Sequence, residues 1–467
     1  MMTLVEAAGL LAAREARALG DVRFDAVGTD SRAIASGQLF VALRGDRYDG
    51  HDFVEAALAC GAAAAMVDAR WAAEHPRGEA AWLVVDDTRL ALGGLAAGWR
   101  VRYDIPVIGV TGSNGKTTVK EMIAAVLRVW AGRDDAVLAT RGNFNNDIGL
   151  PLTLLGLRAG HKAAVIEMGM NHPGEIAYLT GLARPTVALV NNVQRAHLEG
   201  LGTLAEVARE KGHIYDGLGD EGIAIVNAED PHILDLLLAL AGHRWFSFGF
   251  GIRRQAEVKG RYTLHGLGAK LHIETLDWGE ADVDLRVPGV HNVLNALAAA
   301  TACLVAGVPL ATVAAGLGGY DGAHGRLQRR TGPKGALILD DSYNANPDSV
   351  RAAIDVLAAM PGQTFLVLGD MGEVGETSAQ AHDEIGGYAK SKGIGGLYTL
   401  GAMSGVAVRN FGEGGWHFGS PDALAAALAP RLDANTTVLV KGSRFMRMER
   451  VADALAAPPP DTPEMSD

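Results

Sequence analysis

Cysteine is nearly absent. The 467 residues include two, Cys60 and Cys303, far apart and with no Cys-x-x-Cys pair. That spacing excludes a zinc ribbon and a thioredoxin-like motif. Both thiols read as small buried hydrophobes in a reducing compartment. Basic excess is missing too: 42 Lys and Arg face 54 Asp and Glu, a formal net charge of −12. Nucleic acid as the main partner is excluded on that balance, because phosphate backbones call for clustered Lys and Arg. Small anions held by local backbone amides are not excluded. No uncharged apolar run reaches about 18 residues, so no membrane span is expected. The start, Met1-Met2-Thr3-Leu4-Val5-Glu6-Ala7-Ala8, lacks the basic-then-apolar build of a secretory signal. Solenoid-type repeats are absent as well. A cytoplasmic location follows as the expectation.

What is present fits a folded chain of several domains. At roughly 100–200 residues per domain the length suggests about three. Hydrophobic content of 48% and charged content of 21% are ordinary for a folded protein. Short strands and Ala-rich helices mix up to Tyr103, with strands read at Leu39–Leu43 and Ala80–Val85 and a helix at Leu90–Arg102. Asp104-Ile105-Pro106 then breaks the helix. Beyond it, near-continuous apolar runs at Val107–Val110, Ala163–Ile166, Val187–Val190 and Ile223–Val226 read as parallel strands covered on both faces. Helices are expected at Thr117–Trp130, Leu204–Leu218 and Asn292–Val305. Phe246–Leu285 alternates and reads as antiparallel strands, and Gly316–Gly325 as a Gly-rich junction. A third α/β unit follows, with strands at Ala336–Leu339, Phe365–Leu368 and Thr437–Val440. The tail, residues 458–467, is Pro-rich and acidic and is expected to be disordered.

One loop carries the chemistry. Thr111-Gly112-Ser113-Asn114-Gly115-Lys116-Thr117-Thr118 follows a strand and opens a helix, the setting of a phosphate-binding P-loop. Glycines let backbone N–H groups turn onto phosphates, the helix N-terminus adds positive charge, the lysine reaches the β- and γ-phosphates, and the threonine hydroxyl suits Mg²⁺. The general motif wants glycine where Val110 stands. Kinases, GTPases, helicases and ligases all use such loops, so the reaction must be read elsewhere.

Further segments supply it. Thr29-Asp30-Ser31-Arg32 precedes Leu39–Ala42 and Asp49-Gly50-His51-Asp52-Phe53; Arg141-Gly142-Asn143-Phe144-Asn145-Asn146-Asp147-Ile148-Gly149-Leu150-Pro151 is an Asn-rich loop. Glu167 ends a strand, where α/β sheets bind ligands. His197, Glu210-Lys211-Gly212, His291-Asn292, Gly325-Arg326-Leu327-Gln328, Asp340-Asp341-Ser342-Tyr343-Asn344-Ala345-Asn346-Pro347-Asp348 and Lys441-Gly442-Ser443-Arg444 complete the set. With the valine-preceded Gly-Ser-Asn-Gly-Lys-Thr-Thr loop, these segments resemble, in order and over nearly the whole chain, the Mur ligase family of peptidoglycan synthesis.

The resemblance implies three α/β domains: a small N-terminal UDP-binding domain (1–103), a central P-loop mononucleotide-binding parallel sheet (104–325), and a C-terminal Rossmann-like domain that takes the amine (326–457). It implies ATP and two Mg²⁺ ions. Gly112 to Thr118, Asn292, Arg326 and Asp341 become the nucleotide contacts, Asn292 toward adenine and Asp341 toward the ribose. Thr117, Glu167, His197 and a carbamylated Lys211 become the metal-holding set, and Lys116, Lys211 and His197 the catalytic one. Ser31 and Arg32 lie near the uridine diphosphate. Asn143, Asn145, Asn146, Tyr343, Asn344, Asn346 and Arg444 contact the joined substrates; Lys441 and Ser443 are weaker candidates. The Asn-rich loop and the Asp340–Asp348 run resemble the member that adds D-alanyl-D-alanine to UDP-N-acetylmuramoyl-tripeptide. The expected enzyme is a monomer that forms an acyl phosphate, then lets the amine displace phosphate, with the third domain closing to exclude water. Sibling ligases adding another amino acid, a folylpolyglutamate-synthase-like enzyme, and a P-loop NTPase that switches a partner protein are the rival readings.

Overall fold

The computed structural model describes residues 1–456 except 12, 14, 18–21, 76–79 and 241, with the side chains of residues 15–17 also outside the description. Among the described residues three sheets carry the chain, with a two-stranded pair, Met2–Thr3 against Arg23–Phe24, at the start. The expected tail lies outside the described residues.

The first sheet runs in the order 15–17, 82–85, 64–68, 38–41, 26–28, parallel except at its first pair. Helix α1 (Thr88–Arg100) follows it, capped by Asp87, whose side chain accepts from the Arg89 and Leu90 N–H groups. Cys60 is exposed, contrary to expectation, because the helix Val54–Ala59 ends just before it at the surface; Cys303 is buried.

The middle sheet has nine strands. At its centre lie β1 (Val107–Thr111), β2 (Ala163–Glu167) and β3 (Val187–Val190), in the order β3–β1–β2 and all parallel. Every residue of these three strands is buried, which is why they read as unbroken apolar runs. Helix α2 (Lys116–Ala131) follows β1, and α3 (Leu204–Gly212) follows β3. The α-helix expected to reach Leu218 stops at Gly212, and a tighter turn, His213–Gly217, continues it. Val258–His265, Gly268–Thr275 and Glu280–Leu285 are antiparallel as expected. Arg244–Gly249 is not: it pairs parallel with Ile223–Asn227. Phe246–Gly249 are all buried, so the alternation of Phe246 and Phe248 with Ser247 and Gly249 reflects small residues packed inside and not an exposed face. Helix α4 (Val290–Val305) packs on α2, and part of the expected Gly-rich junction is the helix Leu310–Gly318.

The third sheet runs 328–331, 337–341, 436–441, 363–369, 396–400, 415–418, parallel after its first antiparallel pair. Helices α5 (Pro347–Ala358) and α6 (Ser378–Ser391) cover one face. Strand ends Thr111, Glu167 and Val190 therefore open toward Asp341 and the N-terminus of α5, with a cleft of about 1500 Å³ between.

Candidate active site

β1 ends at Thr111, and the chain turns through Gly112 (φ +152°) and Gly115 (φ +78°) into α2. A side chain at Gly115 would meet Asn295 Oδ1 at 2.5 Å and Asn191 Nδ2 at 2.6 Å, so backbone conformation and space both demand glycine. Val110, where the general motif has glycine, is fully buried inside the strand and serves the core. The loop after β3, residues 191–197, braces the turn. Asn192 Oδ1 accepts from Asn114 N at 2.8 Å, and Asn191 Nδ2 and Asn192 Nδ2 donate to the Asn114 carbonyl at 2.9 and 3.0 Å. Ser113 Oγ donates to the Gln194 carbonyl and accepts from its N–H at 3.0 and 2.9 Å. Lys116 Nζ donates to the Gly112 carbonyl at 2.8 Å. Burial draws its ammonium below the ordinary lysine range, and Glu167 opposes that shift. Thr117 Oγ1 accepts from Arg326 Nη2 at 2.7 Å, and the Arg326 guanidinium lies 4.3 Å over the Tyr343 ring.

Glu167 is 2% exposed at the end of β2. One oxygen accepts from Asn145 Nδ2 at 2.8 Å; the other, Oε2, is buried with no hydrogen-bond partner. The Asn-rich loop is built to deliver that contact. Asn146 Oδ1 accepts from Gly149 N at 2.9 Å to start the next helix, and Asn145 O accepts from Gly169 N at 2.9 Å. Asn143 stands exposed at the cleft wall. Asp147 takes the fork of Arg89 from α1, at 2.9 Å on Nη2.

His197 adopts φ +58°, as does Glu373 (φ +60°) on the third unit, and the two face each other. Glu373 Oε2 lies 2.9 Å from His197 Nδ1, an ion-pair distance whose angle is outside a hydrogen bond. Burial holds His197 below the ordinary imidazole value; Glu373 pulls it up, and Lys116 and Lys211 push it down. Lys211 is 1% exposed on α3. No hydrogen bond or ion pair to its Nζ is found among the described residues, and burial and the Lys116 charge drive its pKa well down. The neighbouring Glu210 is engaged by the N–H groups of Gly174 and Ile176 at 2.9 and 3.1 Å.

The far wall belongs to α4 and the third unit. Asn292 is not the cap of α4, which is Gly289. Its Nδ2 donates to Pro288 O at 2.8 Å and its Oδ1 accepts from Asn295 at 3.1 Å. Asp341 Oδ2 accepts from Lys441 Nζ at 2.6 Å, and Lys441 also donates to Asn344 O at 2.8 Å. Asn346 caps α5: its Oδ1 accepts from Ser349 N at 2.9 Å, while its Nδ2 donates to the P-loop residue Asn114 at 2.8 Å. Arg444 is paired with Glu449 at 3.0 Å.

The cleft brings together residues 113–118, Asn143, Asn145, Asn146, Glu167, His197, Asn292, Arg326, Asp341, Tyr343, Asn344, Asn346 and Arg444. Gly112 and Lys211 are not among the residues that line it. Ser31 and Arg32 stand apart from it, and Arg32, 87% exposed, forks onto Asp30 at 2.7 and 2.9 Å. Residues that sequence reasoning did not single out also line it: Arg89, Gln194, Arg195 and Glu373. Their partners lie 58 or more positions away in the chain, so no local pattern marks them.

A P-loop sheet faced across a cleft by a second α/β unit is the build of an ATP-dependent ligase. Residues 110–303 match the model of the Mur ligase middle domain, residues 325–444 that of the Mur ligase glutamate ligase domain, and residues 23–100 that of the Mur ligase family catalytic domain. The UDP-N-acetylmuramoyl-tripeptide--D-alanyl-D-alanine ligase of Escherichia coli (strain K12) is 43% identical over 93% of this chain and 94% of its own. That of Bacillus subtilis (strain 168) is 35% identical over 93% of each. Among solved structures, MurF from Acinetobacter baumannii superposes with a TM-score of 0.88 at 35% identity, covering 97% of this chain and 98% of its own. MurF ligase from Thermotoga maritima in complex with ADP gives 0.80 at 29% identity, covering 93% and 97%. The chain belongs to the Mur ligase family. No helix among the described residues is long and apolar enough to cross a membrane.

Proposed function

We propose that the protein joins D-alanyl-D-alanine to UDP-N-acetylmuramoyl-tripeptide, converting ATP to ADP and phosphate, as a cytoplasmic monomer of three domains (1–103, 104–325, 326–457). The observation that carries the reading is a convergence. The Asn-rich loop and the Asp341–Asn346 segment, the two stretches with the most subtype-specific sequence, face each other across the P-loop in one cleft.

Residues 112–118 cradle the triphosphate, and the tripeptide carboxylate attacks the γ-phosphorus. Lys116 balances charge on the transferring phosphoryl group. The resulting acyl phosphate is attacked by the neutral amine of the dipeptide, and phosphate leaves. Asn143, Asn145 and Asn146 offer amide donors and acceptors to the acyl substrate. Tyr343, Asn344 and Arg444 face it from the third unit, Ser31 and Arg32 hold the uridine diphosphate, and Asn292 and Asp341 hold the nucleoside. Asp341 and the Asn292 amide are already engaged within the fold, so these two contacts require an exchange of partners.

This reading calls for two Mg²⁺ ions. The free Glu167 Oε2 and the Thr117 hydroxyl are hard oxygen donors at the strand ends. Mg²⁺ keeps most of its waters and phosphate oxygens, so one carboxylate suffices, and a dense His/Asp/Glu cluster is not needed. Such ions neutralise charge on the phosphates. His197 and Lys211 would hold the second. Burial and the Lys116 charge lower the Lys211 pKa, which favours the neutral amine, the form that takes up CO₂ as a carbamate. Phosphate release tests the whole reading: it should require the UDP-linked tripeptide together with D-alanyl-D-alanine and fail with single amino acids. Steady ATP turnover without the dipeptide would sink it in favour of a switch, and turnover with one amino acid in favour of a sibling ligase.

A further inference from the structure

The loop after β3 touches both halves of the cleft. Asn191, Asn192 and Gln194 hold the P-loop, while Arg195 reaches the third unit. Its backbone N–H donates to Asp348 Oδ2 at 2.9 Å, and its Nε and Nη2 donate to Asp348 Oδ1 at 3.0 and 2.7 Å. Nη1 and Nη2 donate to the two oxygens of Glu384, on α6, at 2.9 and 3.3 Å. Arg351, on α5, donates to the same Glu384 at 2.7 Å and lies 3.9 Å over the Tyr388 ring. Two arginines and two carboxylates so form a quartet whose side chains are only 24–37% exposed.

Isolated surface pairs contribute little. This arrangement differs in geometry. A planar guanidinium engages two carboxylates from two helices, which fixes orientation as well as attraction. Asp348 is the second residue of α5, and the cap residue Asn346, two positions earlier, is the one paired with P-loop Asn114. The quartet and the amide pair thus hold one helix end against one turn. Neither the phosphate cradle nor the metal-holding set uses Arg195.

We infer that Arg195 is a positioning residue: by gripping Asp348 and Glu384 it sets the register of α5 on the P-loop, and so brings residues 341–346 to the phosphate end. Misplacement of about 1 Å at a reacting centre costs on the order of a hundredfold in rate. The inference rests on the ligase reading only for its turnover assay.

The test uses the full chain with three readouts: amine-dependent phosphate release, ADP affinity, and amide hydrogen exchange over residues 344–349 with ADP bound. Arg195→Met should lower kcat by about tenfold or more and raise exchange at 344–349, with ADP affinity and melting midpoint close to wild type. Arg195→Lys, which keeps the charge and loses the fork, should fall between. Asp348→Asn combined with Arg195→Met should cost no more than Arg195→Met alone, because both act through one contact. Wild-type kcat and exchange in Arg195→Met would overturn the inference. So would multiplying losses in the double variant, or ADP affinity and melting falling in step with kcat. A wild-type protein that ignores the dipeptide would sink the ligase reading instead, and the exchange and ADP arms would still decide the role of Arg195.

Discussion

The middle unit meets its two neighbours in different ways. Toward the first sheet it shares one apolar core: Met66, Leu83, Leu95 and Trp99 lie in the same buried cluster as Leu150, Leu154, Met168 and Ile176. Toward the third unit the contacts are polar: Asn114 with Asn346, Arg326 with Thr117, Arg195 with Asp348 and Glu384, and His197 beside Glu373. Among the described residues, only Leu267 of the middle unit packs against the third unit's own apolar clusters. A shared core is costly to part, whereas a polar junction exchanges its bonds for water at little net cost. The first junction therefore reads as fixed, and the second as the one that opens and closes around ligands.

The sharpest way to break this comparison is to attack the shared core. Trp99 is 5% exposed, donates from its indole to Leu157 O at 3.1 Å, and packs edge-on against Tyr103. Trp99→Ala should cost about 3–5 kcal/mol, as large aromatic truncations do. Denaturant melts should show the first and middle units losing structure together. Separate transitions at unchanged midpoint for the middle unit would mean the two do not share a core.

A smaller effect is expected at the polar junction. Asn346→Ala removes the cap of α5 and the amide pair to the P-loop at once. Loss of the cap alone is worth about 1 kcal/mol. The melt should therefore move little, while amine-dependent turnover falls by a larger factor because α5 loses its seat on Asn114. Equal loss in stability and turnover would make this junction structural like the first.

The difference between the junctions also explains what could be read from the sequence. The P-loop was legible because its signal is local: a buried strand, two glycines with positive φ, then Lys-Thr-Thr at a helix start. The shared core was legible as apolar runs. The polar junction was not, because its meaning lies in partners such as Asn114 and Asn346, 232 positions apart, or Arg195 and Asp348, 153 apart. Asn346 read as a substrate contact, and the structure gives its side chain a cap and a P-loop partner. Short edge strands such as Val137–Ala139 and Gly415–Phe418 escaped too, being too brief for a period to show. Gly396–Leu400 is a fully buried strand that went unread, since Gly393 and Gly395 stand just before it.

pH should separate the junctions further. Hydrogen bonds and charge from Arg195 and Arg351 hold Glu384 below its ordinary value of 4.5. A carboxyl with a depressed native pKa contributes its stability above the ordinary value and loses it as pH falls through the native one. Exchange at residues 344–349 should be flat near neutral pH, after correction for intrinsic rates, and should rise as pH falls through the native Glu384 value, below its ordinary 4.5. Amides of α1 should stay protected over the same range. Loss of protection at α1 first would reverse the assignment of the weaker junction.

The smallest expected effect tests a charge pair at the apolar junction. Arg89 of α1 forks onto Asp147 of the Asn-rich loop, with side chains 52% and 31% exposed. Were ion pairs the general means of holding units together here, Arg89→Ala would loosen the first junction as Arg195→Met loosens the second. The shared core makes the pair redundant for docking, and exposed pairs contribute about 0–1 kcal/mol. Arg89→Ala should therefore shift the melt by less than about 1 kcal/mol. Its effect should appear instead in the KM for the acyl substrate, since Asp147 sits one residue after Asn146 in the loop that carries the Asn145 contact to Glu167. A stability loss above about 2 kcal/mol, well outside the range for exposed pairs, would show that charge, not the buried cluster, fastens α1 to the middle unit.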